Sequence, residues 1–290
     1  MNTLSVNQLS LTYPNGHQAI QNISLEIKNG MFGLLGPNGA GKSSLMKTIV
    51  GLRKPTSGNI IFNGTDVTQN PDYIKKHLGF LPQDFGVYPR VSAYDLLEHI
   101  AVLKGVSDKN QRKNQIINLL EKVNLADFRN KEVHTFSGGM KQRFGVAQAL
   151  LGAPKIIIVD EPTAGLDPEE RNRFNALLND ISRDVIVILS THLVEDVRNL
   201  CSEMAVMNHG KILIQGSPGA LIAELENKIW SKPIDKNELK QYTLHYDIIS
   251  QQLIERALHI TVFSQEYPKG FYSVQPLLEH VYFHTLTQKP

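Results

Sequence analysis

The sequence predicts an α/β protein with a mixed sheet, a helical middle segment and a small aromatic-rich part at its end. Three observations lead there. Apolar runs of strand length, such as 156–159 and 185–189, recur between stretches with helical spacing. One such run, 31–35, passes straight into a glycine-rich loop and then a helical stretch, the order strand, loop, helix. Residues 84–152 read as helices, whereas those before about 65 alternate between apolar and polar.

In order along the chain, Leu4, Val6 and Leu9 open one alternating stretch, and Ile23, Leu25 and Ile27 form another. A third, 59–62, is expected after a turn at Ser57-Gly58. Residues 42–50 have helical character. Ser92 with Asp95 is a candidate capping box, opening a helix through Leu96, Leu97, Ile100 and Leu103. A second helix carries Ile116, Ile117, Leu119, Leu120 and Val123, and a third follows Ser137. Strands return at 155–159 and 184–190. Between them Asp167-Pro168-Glu169-Glu170 is a helix start, with an N-cap, a proline at the first helical position and acids in the first turn. Asn208-His209-Gly210 joins 204–207 to 211–214 as a hairpin. Ser217-Pro218-Gly219 marks a change of composition. Residues 217–290 hold nine of the 21 aromatics, including the only tryptophan, Trp230, and this density implies a packed extension.

Bulk properties narrow the function classes. The chain has 290 residues, 41% hydrophobic and 20% charged, and can bury a sizeable core. A net charge of +2 does not argue for a nucleic-acid or membrane-surface binder. The single cysteine, Cys201, excludes an intrachain disulfide and a cysteine-rich zinc site, fits a reducing compartment, and reads as a small buried apolar residue. The N-terminus has no signal-peptide pattern and no stretch reaches membrane-spanning length, so a membrane role is expected only through a partner.

Chemistry concentrates in a few motifs. Gly36-Pro37-Asn38-Gly39-Ala40-Gly41-Lys42-Ser43 matches G-x-x-x-x-G-K-[ST] in full. Glycines there let successive N–H groups face phosphate oxygens, and the helix that follows, running through Ser44, offers its positive end. Lys42 is placed to reach the β- and γ-phosphates, and the Ser43 hydroxyl to bind Mg²⁺. This pattern predicts a P-loop NTPase core. Asp160 and Glu161 end the buried strand that starts at Lys155, where a parallel sheet collects its ligands. Asp160 is read as a Mg²⁺ residue and Glu161 as the group that polarises the attacking water. Ser137-Gly138-Gly139 opens a helix as a second phosphate site, which makes sense if it serves a partner's nucleotide. Gln83 lies where strand-rich sequence gives way to helical, and His192 follows a buried strand.

Taken together, these residues resemble the ATP-binding subunits of ABC transporters over about residues 1–216. The resemblance implies that Tyr13 stacks on adenine, that residues 36–43 are the Walker A loop, and that Gln83 ligands Mg²⁺ and senses a membrane partner. It makes Ser137, Gly138, Gly139 and Met140 the signature segment, Asp160 and Glu161 the Walker B aspartate and catalytic glutamate, residues 164–167 the D-loop, and His192 the switch histidine at the γ-phosphate. Where the family usually has Leu-Ser-Gly-Gly-Gln, Phe136 and Met140 replace the first and last residues, so Met140 lacks glutamine's polar reach. The implied fold adds an N-terminal antiparallel β-subdomain and a helical signature subdomain at about 84–152, within an ATP-binding domain of 1–216 and before an extension of 217–290.

Residues 274–283 resemble the pattern closing ATPases of the drug, antibiotic and bacteriocin exporter branch, as do residues 84–89. The function implied is a cytoplasmic ATPase that dimerises around two ATP molecules, with Mg²⁺. It would drive export through a separate permease at the inner face of the cell membrane. Permease docking is expected after Gln83, around Phe85, Val87 and Tyr88. No nucleic-acid partner is expected. Two other readings are a soluble mechanical ATPase acting on nucleic acid or the ribosome, and a non-hydrolysing ATP clamp. The first lacks the inserted coiled coils or second ATPase unit of such relatives, and Glu161 argues against the second.

Overall fold

In the computed structural model, residues 1–288 are described apart from Gln83, Asp84, Phe85, Val87, Tyr88 and Ala164. In chain order, β1 (Thr3–Thr12), β2 (Gln18–Lys28), β3 (Gly30–Leu35), α1 (Lys42–Ile49), β4 (Ser57–Phe62), β5 (Thr65–Asp66), α2 (Pro71–Lys76) and β6 (Leu78–Leu81) come first. The helical middle is α3 (Ala93–Leu103), α4 (Lys109–Lys122) and α5 (Gly138–Leu150). Then follow β7 (Ile156–Asp160), α6 (Pro168–Ile181), β8 (Ile186–Thr191), α7 (Val194–Leu200), β9 (Glu203–Asn208) and β10 (Lys211–Gly216). The chain closes with α8 (Pro218–Ala223), β11 (Ile229–Ile234), α9 (Leu239–His245), β12 (Asp247–Ile254), β13 (Ala257–Phe263), β14 (Tyr272–Ser273) and α10 (Leu278–Thr287).

The N-terminal strands form an antiparallel sheet in the order β2-β1-β4-β5. Val6 and Leu9 are three residues apart yet both are buried, which strict alternation forbids. A register shift between them, with Gln8 at φ +46, absorbs the extra residue. The Ser57-Gly58 turn is corrected: both residues belong to β4. Gly58, at φ +80, lies so close to the Asn7 and Gln8 carbonyls opposite that a Cβ would overlap them, so this glycine serves the bulge and not a turn. The Ser92–Asp95 box is also only half made. Ser92 caps α3 by accepting from the Asp95 amide at 3.1 Å, but the Asp95 carboxylate takes the Ser92 hydroxyl at 2.6 Å. The Ser92 backbone is engaged in a β-bridge with Glu132.

A central mixed sheet runs β10-β9-β3-β8-β7-β6, parallel throughout except for the β10–β9 hairpin. It is covered on both faces, which explains the continuous apolar runs. Met31, Leu35, Ile157, Val159, Val187 and Leu189 point into a core shared with α3 to α7. Phe32, Leu34, Ile156, Ile158, Ile186 and Ile188 point toward α1 and the N-terminal sheet. The order brings the C-terminal ends of β3, β8 and β7 side by side, with Leu35 opposite Thr191 and Asp160 opposite Ser190.

The C-terminal strands make a third sheet, β12-β13-β11-β14. Ile234, Ile260, Val262 and Phe271 form a small core there with Trp230, Tyr242 and Tyr246 packed against it. Leu278, Val281 and Tyr282 of α10 join the larger core instead. Cys201 is buried in that core, and burial pushes its thiol up to about 12, as a packing residue requires. Among the described residues no helix is long and apolar enough to cross a membrane.

Candidate active site

The glycine-rich loop starts where β3 ends, pinned by the Gly36 amide to the Thr191 carbonyl at 3.3 Å. Two of its glycines are required by conformation. Gly39 sits at φ +82 and Gly41 at φ +106, and a Cβ on Gly41 would also meet the Ala19 carbonyl at 2.5 Å. Gly41 is the N-cap of α1 and supplies no side-chain acceptor, and the first turn of α1 holds no acid. The first N–H groups of that helix and its positive end are therefore left for an anion.

Lys42 is 6% exposed, and its ammonium donates to the carbonyls of Gly36 at 2.6 Å and Pro37 at 3.2 Å. Burial lowers its pKa, and the charges of Glu161 and Asp160 oppose that shift. Glu161 Oε1 lies 4.0 Å from Lys42 Nζ and 3.2 Å from His192 Nδ1. Asp160 Oδ2 faces Ser43 Oγ across 3.5 Å. Burial raises the Asp160 carboxyl and Glu161 adds to the rise, while Ser190, Lys42 and Ser43 counter it.

Lys42, Ser43, Asp160 and Glu161 line a cavity of about 380 Å³ with His17, Ala19 and the rest of the loop from Pro37 through Ser44, and His192 touches Glu161 without lining it. A larger groove of about 790 Å³ lies between β2 and β10, but Lys211 is the only charged residue lining it. Convergent chemistry, not volume, identifies the site.

The other expected residues fall as follows. The Tyr13 hydroxyl is 3.0 Å from Ser44 Oγ at the edge of the loop, and its ring stacks with His17 under the Arg53 guanidinium. Ser137 caps α5, accepting from the Met140 amide at 3.3 Å. Ser137 and Gly138 are exposed, Gly139 is buried, and none of the three lines the cavity. Met140 is partly buried against the core. Gln83 and the segment expected to dock a permease, Phe85, Val87 and Tyr88, lie outside the described residues, as does Ala164.

Sequence reasoning missed His17 and Ala19 in the cavity wall. It also missed Asp196, a fully buried carboxylate on α7. Asp196 accepts from Thr163 Oγ1 at 2.6 Å and from Arg171 Nη2 at 2.6 Å. It is one of two adjacent acids in the first turn of a short helix, which the sequence shows only as a helix-start pattern.

The ABC transporter family profile matches residues 20–164, half of the chain. The uncharacterized ABC transporter ATP-binding protein YxlF of Bacillus subtilis is 34% identical over 229 residues, covering 79% of this chain and 75% of that one. The chain belongs to the ABC transporter family. It is an ABC-type ATPase, with ATP as its substrate.

Linearmycin resistance ATP-binding protein LnrL of Bacillus subtilis is 34% identical over 208 residues, covering 71% of this chain and 67% of that one. ABC transporter A family member 8 of Dictyostelium discoideum is 38% identical over 200 residues, covering 69% of this chain but only 24% of its own length. Among solved structures, CbiO1 from Clostridium perfringens, described as part of the ABC transporter complex cbiONQ, superposes with a TM-score of 0.69 at 28% identity. It covers 83% of this chain and 94% of that one. The dimeric post-hydrolysis state of the ATP-binding cassette MJ0796, bound to ADP and Pi, gives 0.66 at 25% identity, covering 74% and 98%. The antiparallel N-terminal sheet and the mixed central sheet are those of the ABC ATPase cassettes.

Proposed function

We propose that the chain is the ATPase subunit of an exporter. Two copies close around two ATP molecules and drive a separate permease, to which they are held at the inner face of the membrane. One observation carries the paired reading. The cavity gathers Lys42, Ser43, Asp160 and Glu161, while the second phosphate-binding helix start, Ser137 to Gly139, stands outside it. A second chain would complete each site. The dimeric state of MJ0796, the transporter complex of CbiO1 and the resistance role in the name of LnrL support the reading.

In this reading the loop amides from Gly39 onward cradle the phosphates, and Lys42 neutralises their charge. Tyr13 stacks on adenine. Ser43 Oγ and Asp160 Oδ2 are hard oxygen donors facing each other, a set that fits Mg²⁺, and Gln83 would add a third. Mg²⁺ held there would supply neutralisation of the phosphate charge. Glu161 orients the attacking water, and His192, in contact with the same Oε1, holds that carboxylate toward the γ-phosphate. The ATP-binding unit is proposed to span 1–216 and the extension 217–290.

Glu161→Gln tests the paired site. Phosphate contacts are kept and water activation is lost, so with ATP and Mg²⁺ the variant should elute as a dimer on size exclusion. A monomer under those conditions would sink the paired site. Affinity capture from solubilised membranes should return an integral-membrane permease, and recovery of ribosomes or nucleic acid would refute the transport reading.

A further inference from the structure

The first turn of α6 carries two adjacent charged residues that face different neighbours. Glu170 faces α5. Its Oε2 is 3.5 Å from Arg143 Nε, and its carboxylate lies so close to Gly139 that a Cβ there would overlap it. Gly138, one residue earlier, has open space at the same position. A side chain at the second signature glycine would therefore displace the Glu170 carboxylate, so the start of α5 and Glu170 are in direct contact.

Arg171 faces α7. Its Nε and Nη2 donate to Asp196 Oδ1 at 2.9 and 2.6 Å, and Nη1 lies 3.1 Å from Glu195. Asp196 Oδ2 accepts from Thr163 Oγ1 at 2.6 Å and from Thr191 Oγ1 at 3.4 Å. Thr163 lies two residues after Glu161, and Thr191 immediately precedes His192. A carboxylate with no solvent exposure depends on its charge-assisted partners. Asp196 thus links Arg171 to Thr163 and Thr191, which lie beside Glu161 and His192 in the chain.

We propose that Glu170 and Arg171 are positioning residues that couple the two phosphate-binding regions of one chain. Glu170 senses the start of α5 at Ser137 to Gly139. Arg171, fixed to it through the same helical turn, sets the loops of Glu161 and His192. Engagement of one ATP by the signature segment is thereby passed to the hydrolytic groups of the other. This rests on the paired-site reading above. The link is a contiguous chain of contacts, and its worth is a coupling measurable by mutation.

The test uses the full chain, with steady-state ATP hydrolysis and the affinity for a fluorescent ATP analogue measured on each variant. Glu170→Ala and Arg171→Lys should each lower kcat about tenfold while leaving nucleotide affinity within about twofold. Together they should cost no more than the larger single loss, because both interrupt one link. Losses that multiply would mean two independent packing contacts and overturn the proposal. Wild-type kcat in Glu170→Ala overturns it outright, and that variant decides the matter if Arg171→Lys does not fold. The paired-site reading fails separately. A monomeric Glu161→Gln with ATP and Mg²⁺ refutes it whatever Glu170 does.

Discussion

Glu161 sits at φ +47, a left-handed state that costs an L-residue about 1 kcal/mol or more. Its amide donates to the Ser190 carbonyl at 2.9 Å, which ties the turn after β7 to the end of β8 and leaves the side chain facing Lys42 and His192. Strain at such a position is tolerated when its surroundings over-determine it. The P-loop glycines follow the same logic with different margins. Gly41→Ala adds a Cβ against the Ala19 carbonyl at φ +106 and should cost about 2 kcal/mol or more with loss of ATP binding. Gly39→Ala has open space around it and should cost about 1 kcal/mol. Thermal melts of the two variants, with and without ATP, check the order, and an equal cost would refute it. Lys42→Ala should lose ATP affinity and hydrolysis together, since one buried ammonium faces both the loop carbonyls and Glu161. Unchanged turnover would end its phosphate role. Residues such as Lys42, Asp160 and Glu161 were legible because their chemistry demands fixed spacing on a strand or a loop. The links from Asp196 to Thr163 and Arg171, and from Glu170 to Arg143, were not, because they join residues 25 to 33 positions apart that meet only in the folded chain.

Helix α10 shows what burial does to a pair of histidines. His280 Nδ1 accepts from the Leu277 amide at 3.0 Å, and the His284 ring stacks on Phe263 with centroids 4.0 Å apart. Burial holds both imidazoles below their ordinary 6.5, with Glu279 opposing at His280 and Asp247 at His284. At pH 7 both are therefore mainly neutral in the folded chain. A pKa lower in the folded state than in the unfolded state means that this stability is complete above pH 6.5. It is lost as pH falls through the folded values. Among the described residues His284 Nδ1 is buried without a hydrogen-bond partner, so His284→Phe should keep the stack on Phe263 without the titrating ring. Melting the two proteins at pH 7.5 and 5.5 should show a smaller acid loss in His284→Phe, and an equal loss would discount His284. Periodicity and caps made most elements legible, down to Asp167 as the N-cap of α6. The Ser57-Gly58 error came from reading a glycine locally when its conformation answers a bulge in β1, fifty residues away. Strand order was likewise invisible, since pairing β3 with β8 and β9 is settled by contacts that no local pattern encodes.

Composition changes at residue 217, but packing runs straight across that point. Leu278, Val281 and Tyr282 of α10 are at most 7% exposed and share one core with Val197 of α7 and with Met204 and Val206 of β9. Leu221 and Leu225 join the same core from α8 and the turn after it. The third sheet keeps its own small core on its other side, so α10 is the joint between the two. Sequence reasoning saw the aromatic density and expected a packed extension, but it could not see that the last helix returns to cover the ATPase. If the joint is sound, the chain unfolds as one cooperative unit. Trp230, the only tryptophan, lies in β11 with its indole N–H on the Ser264 carbonyl at 3.1 Å, so its fluorescence reports the third sheet alone. Loss of ATP-analogue binding reports the P-loop. The two signals should melt together. Leu278→Ala, at a position with no exposure, should lower both by the same amount, about 2–5 kcal/mol. A tryptophan transition that separates from the P-loop signal, or a Leu278→Ala effect confined to Trp230, would show two independent units. In that case removing 217–290 would leave a stable ATPase. With a shared core, the truncated chain would expose Val197, Met204 and Val206 and aggregate.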